Sequence, residues 1–99
     1  MASLTLIYWR DIPAQVVVRR GRETAKVKLS DRFQEAVDRA AMRAGKGSSD
    51  AYLAEWRRSG ATPCSDDIES EAAAEAARIE ARYSDKDLEL LIRAKGVAS

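Results

Sequence analysis

Apolar Leu4, Leu6 and Tyr8 alternate with Thr5, Ile7 and Trp9 between Ser3 and Arg10, and this period of two predicts a strand. Large apolar groups fall on both of its faces, which places the strand in the interior of a sheet. Asp11-Ile12-Pro13 is expected to interrupt it, because proline lacks a ladder donor and forces the residue before it into extended backbone. A β-branched strand follows from Gln15 to Arg20, built on Val16-Val17-Val18. Arg20-Gly21-Arg22-Glu23 reads as a hairpin turn in which Gly21 supplies positive φ. Thr24 to Leu29 then alternates cleanly, with Ala25, Val27 and Leu29 inward and Thr24, Lys26 and Lys28 outward. Short connections between three successive strands predict an antiparallel meander.

The period changes at Ser30, which is placed to cap a helix with Asp31 in its first turn. Phe33, Ala36, Val37, Ala40, Ala41 and Ala44 make its apolar stripe, and Gly45 is the expected stop. After the loop Gly45–Ser49, a second helix is expected from about Asp50 to Arg58, burying Tyr52, Leu53 and Trp56. Gly60 to Ser65 reads as a linker. Asp66 with Glu69 resembles a capping box for a helix reaching Tyr83, with stripe Ile68, Ala72, Ala76, Ile79 and Tyr83. Ser84 with Asp87 opens a last helix carrying Leu88, Leu91 and Ile92 and closed by Gly96. The expectation is one α+β domain, a three-stranded antiparallel meander followed by three to four helices packed on one face. Within it, residues 1–62 form a βββαα unit, and residues 63–99 an acidic, Ala/Glu-rich helical tail docked on the same domain. The expected core is Leu4, Leu6, Ile7, Tyr8, Trp9, Val16, Val17, Val18, Val27, Leu29, Phe33 and Val37, with Tyr52, Leu53, Trp56, Ile79, Leu88, Leu91 and Ile92.

Composition narrows the chemistry. The 99 residues contain no histidine and a single cysteine, Cys64. An imidazole base, a Cys-His nucleophile, a His-ligated zinc and an internal disulfide are therefore excluded, and neither GxGxxG nor a P-loop occurs. Net charge is +1, but it is distributed unevenly. Residues 1–62 hold 12 Lys/Arg against 7 Asp/Glu, and residues 63–99 hold 5 against 9. The basic front half suits an anionic partner. The chain has no apolar run of membrane-spanning length and no secretory leader pattern at its start, so the expected location is the cytoplasm.

Tyr8-Trp9-Arg10-Asp11-Ile12-Pro13-Ala14-Gln15-Val16 is followed by Gly21-Arg22, Arg32-Phe33, Ala36-Val37-Asp38 and Ala40-Ala41-Met42. Asp50-Ala51-Tyr52-Leu53 and Trp56-Arg57-Arg58 complete the series. This series resembles the bacterial domain family described as virulence factor, over roughly residues 4–58; residues 63–99 share only length and Ala/Glu character with it. Relatives include small stand-alone proteins and longer ones with an iron–sulfur-scaffold-like domain and helical repeats. Their setting near corrinoid- and folate-dependent one-carbon enzymes implies an accessory or scaffolding role. The resemblance brings no catalytic residue with it.

Among individual residues, Arg19, Arg20, Arg22, Lys26 and Lys28 are the densest cations. Arg20, Lys26 and Lys28 are expected on one side of a ribbon, as a clamp for phosphate or carboxylate or as a solvated face that discourages edge pairing. Arg10, Asp11 and Gln15 form either a recognition edge at a turn or a support. In the second case Asp11 accepts a bidentate bond from Arg57 or Arg58 and ties the strand end to the second helix. Tyr8, Trp9 and Trp56 suit base stacking or core packing; their spacing favours core, with Trp9 the exception. Nothing near Cys64 lowers its pKa, and Asp66, Asp67, Glu69 and Glu71 are explained by a capped helix start. Acid–base chemistry is left to Asp11 or Glu35, in a domain with little room for a pocket. The expectation is thus a non-enzymatic accessory module without cofactor or metal. It binds a larger protein, and no membrane, through Arg10, Asp11, Gln15, Arg19, Arg20, Arg22, Lys26 and Lys28. The alternative is a nucleic-acid or other polyanion binder using the basic hairpin.

Overall fold

Eight residues of alternating apolar character make a strand long enough to template neighbours along both edges, and that strand organises the molecule. In the computed structural model, which describes residues 1–98, β1 (Ala2–Trp9) pairs antiparallel with β2 (Ile12–Arg20), which pairs antiparallel with β3 (Glu23–Lys28). The helices are α1 (Asp31–Arg43), α2 (Ser49–Ala54), α3 (Ile68–Arg82) and α4 (Asp85–Arg93). Two further strands, β4 (Trp56–Arg58) and β5 (Thr62–Cys64), lie end to end along the other edge of β1. The sheet therefore has five strands, ordered β3-β2-β1-β4 with β5 also on β1.

The three-stranded expectation fails at two places. The second helix stops at Ala54, and Trp56, Arg57 and Arg58 extend against Trp9, Tyr8 and Ile7. The expected linker extends against Ala2, Ser3 and Leu4. Strands of three residues show too little alternation to announce themselves, and the free edge of β1 supplies their hydrogen bonds. Pro63 is tolerated because β5 is paired on one side only. Between the two, Ser59 stands in for the ladder: its N–H donates to Leu6 O and its Oγ accepts from Leu6 N–H, both at 2.9 Å.

The first strand breaks at Arg10 and Asp11, but the second begins at Ile12 rather than Gln15 and takes in Pro13. The pairing shifts between Ile7 and Tyr8, so that Ala14 is left over opposite β1 and the proline is absorbed beside a bulge. Cap assignments shift as well. Asp67, not Asp66, caps α3 by accepting from Ser70 N–H, while Asp66 accepts from Ala2 N–H at 3.2 Å. Ser30 precedes α1 without a side-chain cap. Its N–H and Oγ instead donate to the Glu80 carboxylate of α3, at 2.6 and 2.9 Å. The capping box of Ser84 and Asp87 on α4 is present as expected.

The helix α3 lies across β1, β2 and β3, α1 packs on β2, and α4 packs on α1. Burial follows the predicted stripes: Phe33, Ala36, Val37, Ala40 and Ala41 on α1, and Ile68, Ala72, Ala76 and Ile79 on α3. Alanines in both stripes let the helices approach closely, so the bulk is supplied by Trp9, Ile12, Phe33 and Ile79. Ile7 and Val17, expected in the core, are not among the buried residues, and Leu53 is 62% exposed because α2 buries no residue fully. No described helix is long and apolar enough to cross a membrane.

Candidate binding surface

The Arg10-Asp11 turn and the basic hairpin, named together as candidates, occupy different environments. The turn is locked from every side. Arg10 takes positive φ of 53°. Its Nε donates to Glu55 Oε1 at 2.7 Å, its Nη1 to Lys95 O at 3.0 Å, and its backbone N–H to Glu55 O at 3.0 Å. Asp11 accepts from Arg57 Nη2 at 2.9 Å through one carboxylate oxygen and from Ala98 N–H at 2.7 Å through the other. The arginine partner lies on β4 rather than on a helix, and the bond is not bidentate, since Arg57 Nε donates to Arg10 O instead. Arg57 also covers the Tyr8 ring at 4.5 Å. Burial pushes the Tyr8 hydroxyl pKa up, and Tyr83 adds to the rise. Both side chains of the turn are spent on holding β1, β4 and the C-terminal segment together.

Trp9 is fully buried, which removes it from any stacking platform. It stacks on Tyr52 with centroids 6.0 Å apart, its Nε1–H donates to Tyr52 O at 2.9 Å, and Trp56 meets Tyr52 edge-on. Cys64 is half-buried, and burial raises its pKa, with Glu71 and Asp66 adding to the rise. That is the opposite of thiol activation.

The hairpin cations are sorted by register. Residues directly opposite in an antiparallel pair point to the same face. Lys26 lies opposite Val17, Lys28 opposite Gln15, and Arg19 opposite Thr24. Gln15, Val17 and Arg19 in turn face Ile7, Thr5 and Ser3 of β1, and Ile7 faces Arg58 of β4. One face of the sheet therefore carries Gln15, Arg19, Lys26, Lys28 and Arg58 around Ile7 and Val17. Arg20 is not part of this group. It lies opposite Glu23, on the face with Val18 and Ala25, because the strand period of two separates it from Arg19. Arg22 sits in the exposed hairpin turn.

Ser3, Thr5, Ile7, Val17, Arg19, Arg58 and Ala61 line a shallow groove of about 220 Å³ on this face, formed only by strands and the β4–β5 connection. Glu23 is the one carboxylate in all five strands, and it points to the other face. Arg19, Lys26, Lys28 and Arg58 make no ion pair among the described residues, whereas Arg10, Arg32, Arg39, Arg57, Arg78 and Arg93 each do. Arg58, Ser3 and Thr5 were not legible as site residues, and Ile7 and Val17 read as core. The available signal was negative: Asp11 is the only acid in the first 22 residues. No group of three or more described His, Cys, Asp or Glu residues is arranged to hold a metal ion.

The family model described as virulence factor matches residues 7–92. The match extends past the segment that carried the resemblance and includes the acidic helices. No curated protein and no solved structure matches the chain.

Proposed function

The chain belongs to the virulence factor family, and from that premise we propose that it is a non-enzymatic binding module that docks an anionic surface of a larger protein. The observation that carries this reading is the open sheet face bearing Arg19, Lys26, Lys28 and Arg58 with no carboxylate from any strand. Cations left unpaired on a rigid sheet are available to a partner without first breaking an internal salt bridge. Ile7 and Val17 at the centre give apolar contact inside a charged rim, the usual composition of a protein interface. Catalysis by Asp11 is disfavoured because both its carboxylate oxygens are already engaged. The proposed partner is an enzyme of the corrinoid- and folate-dependent one-carbon kind that the family resemblance implies.

A nucleic-acid partner is the second reading of the same cations. The groove lining contains no aromatic ring on which a base would stack, and the net charge of +1 is low for a polyanion binder. Affinity capture from native lysate, with and without nuclease, separates the two. The protein reading expects a stoichiometric partner that survives nuclease and is lost from the Lys26→Glu/Lys28→Glu variant. Retention by that variant refutes docking through this face, and loss on nuclease treatment selects nucleic acid.

A further inference from the structure

We propose that the groove between Arg19 and Arg58 is a peptide-recognition site, which receives an extended acidic segment of the partner with one apolar residue seated on Ile7 and Val17. The inference rests on the docking role above and deepens it. Its basis is the arrangement of the groove. Ser3 and Ile7 are four residues apart on β1, and at ~3.3 Å per residue their Cα atoms are roughly 13 Å apart. Arg19 stands opposite Ser3 on β2, and Arg58 opposite Ile7 on β4, the strand on the other side of β1. With strands spaced ~4.8 Å, the two arginines are offset by roughly 10 Å across the sheet as well. They mark diagonal corners about 16 Å apart at the backbone, a span an extended chain covers in about five residues.

The chemistry between these corners is apolar and hydroxylic. Ile7 and Val17 form the floor, with Ser3 and Thr5 beside them. At about 220 Å³ the groove is smaller than the ~300–1,000 Å³ typical of small-molecule sites, so it fits a side chain and its flanking backbone better than a whole metabolite. Guanidinium groups at both ends pair with carboxylates in a directional, charge-assisted way. Lys26 and Lys28 on β3, level with Val17 and Gln15, extend the positive field along the β3 side of the groove. An acid–apolar–acid segment is complementary to every part of this surface, and a basic or neutral one is not.

The test is a randomised peptide library of about twelve residues, long enough to cross the sheet face, displayed on phage and selected on the immobilised full chain. Selected peptides are then measured by fluorescence polarisation against variants. The expected consensus has one apolar residue between acids four to six positions apart. Arg19→Gln and Arg58→Gln should each weaken binding about tenfold, the loss expected for one charge-assisted hydrogen bond. Val17→Thr keeps the β-branched shape and so the strand, and should weaken binding about threefold or more by removing apolar contact. A consensus without acids overturns the inference. So does binding that falls with Lys26→Glu/Lys28→Glu but not with the Arg19, Arg58 and Val17 variants; that pattern leaves the docking face standing. Peptides insensitive to all of these changes overturn both. Displacement of the peptides by an equimolar thymidine oligonucleotide overturns the peptide assignment in favour of nucleic acid.

Discussion

Gly96 is the position where one added methyl group should do most damage. Its φ is +85°, and a Cβ built there would lie 2.9 Å from one carbon of the Trp9 ring and 3.2 Å from the next. Trp9 cannot retreat, being fully buried, stacked on Tyr52 and hydrogen-bonded through Nε1. Gly96→Ala therefore combines two costs. Left-handed backbone on a residue with a Cβ costs about 1 kcal/mol, and forcing a methyl into a filled site costs about 1–3 kcal/mol. The sum is a loss of about 2–4 kcal/mol, and at ~4–8 °C per kcal/mol for a domain of this size the Tm should fall by about 8–32 °C. Two further glycines separate the terms. Gly21 also has positive φ, +59°, but nothing lies within 4 Å of its Cβ position, so Gly21→Ala should cost only the backbone term, about 1 kcal/mol. Gly60 has neither strain nor a neighbour, and Gly60→Ala should stay within about 0.5 kcal/mol of wild type. Urea titrations followed by circular dichroism measure all three, with the slope checked for constancy. If Gly96→Ala loses no more stability than Gly21→Ala, the C-terminal segment does not pack on Trp9 as described.

Trp9→Phe should destabilise by about 2–3 kcal/mol, because it leaves space in the core and removes the 2.9 Å bond to Tyr52 O, which keeps only the longer one from Glu55 N–H at 3.4 Å; thermal denaturation checks it. Arg57→Ala should cost about 1 kcal/mol, discounted because the side chain is half exposed, and its effect should be less than additive with Asp11→Ala in a double-mutant cycle. Burial alone would raise the Glu80 pKa, but hydrogen bonds from Ser30 and Arg32 outweigh it and hold the pKa below its ordinary value of 4.5. The folded state thus favours the ionised form, so this contribution is present above about pH 4.5 and is lost as pH falls through the folded-state value. Denaturation from pH 6 to 3 should show a weaker loss in Glu80→Gln than in wild type; parallel curves would refute the linkage.

Much of the secondary structure was legible because it rests on local periodicity. The alternation in Thr24–Leu29 and the alanine-rich stripes of α1 and α3 encode their own buried faces, and Ser84 with Asp87 carries its cap within four residues. The family was legible too, since the Tyr8–Val16 segment lies wholly within the matched span. Three features depend on groups distant in sequence. Trp56–Arg58 and Thr62–Cys64 are strands only because the second edge of β1 offers unpaired backbone, and without it their composition is equally that of a helix end and a linker. Arg10 and Asp11 are tied down by Glu55, Arg57, Gly96 and Ala98, none of them near in sequence. The binding face was half visible: Gln15, Arg19, Lys26 and Lys28 stand out as residues, but which of the hairpin cations belong together is a matter of register. A shift of one residue exchanges Arg19 for Arg20, and the Ala14 bulge and the pairing across three strands fix that choice. Sequence alone determined which residues are charged or apolar and where the long strands and helices run; the tertiary pairing decided which short segments extend and which residues share a surface, because a strand's two faces become inside and outside only when something packs on one of them.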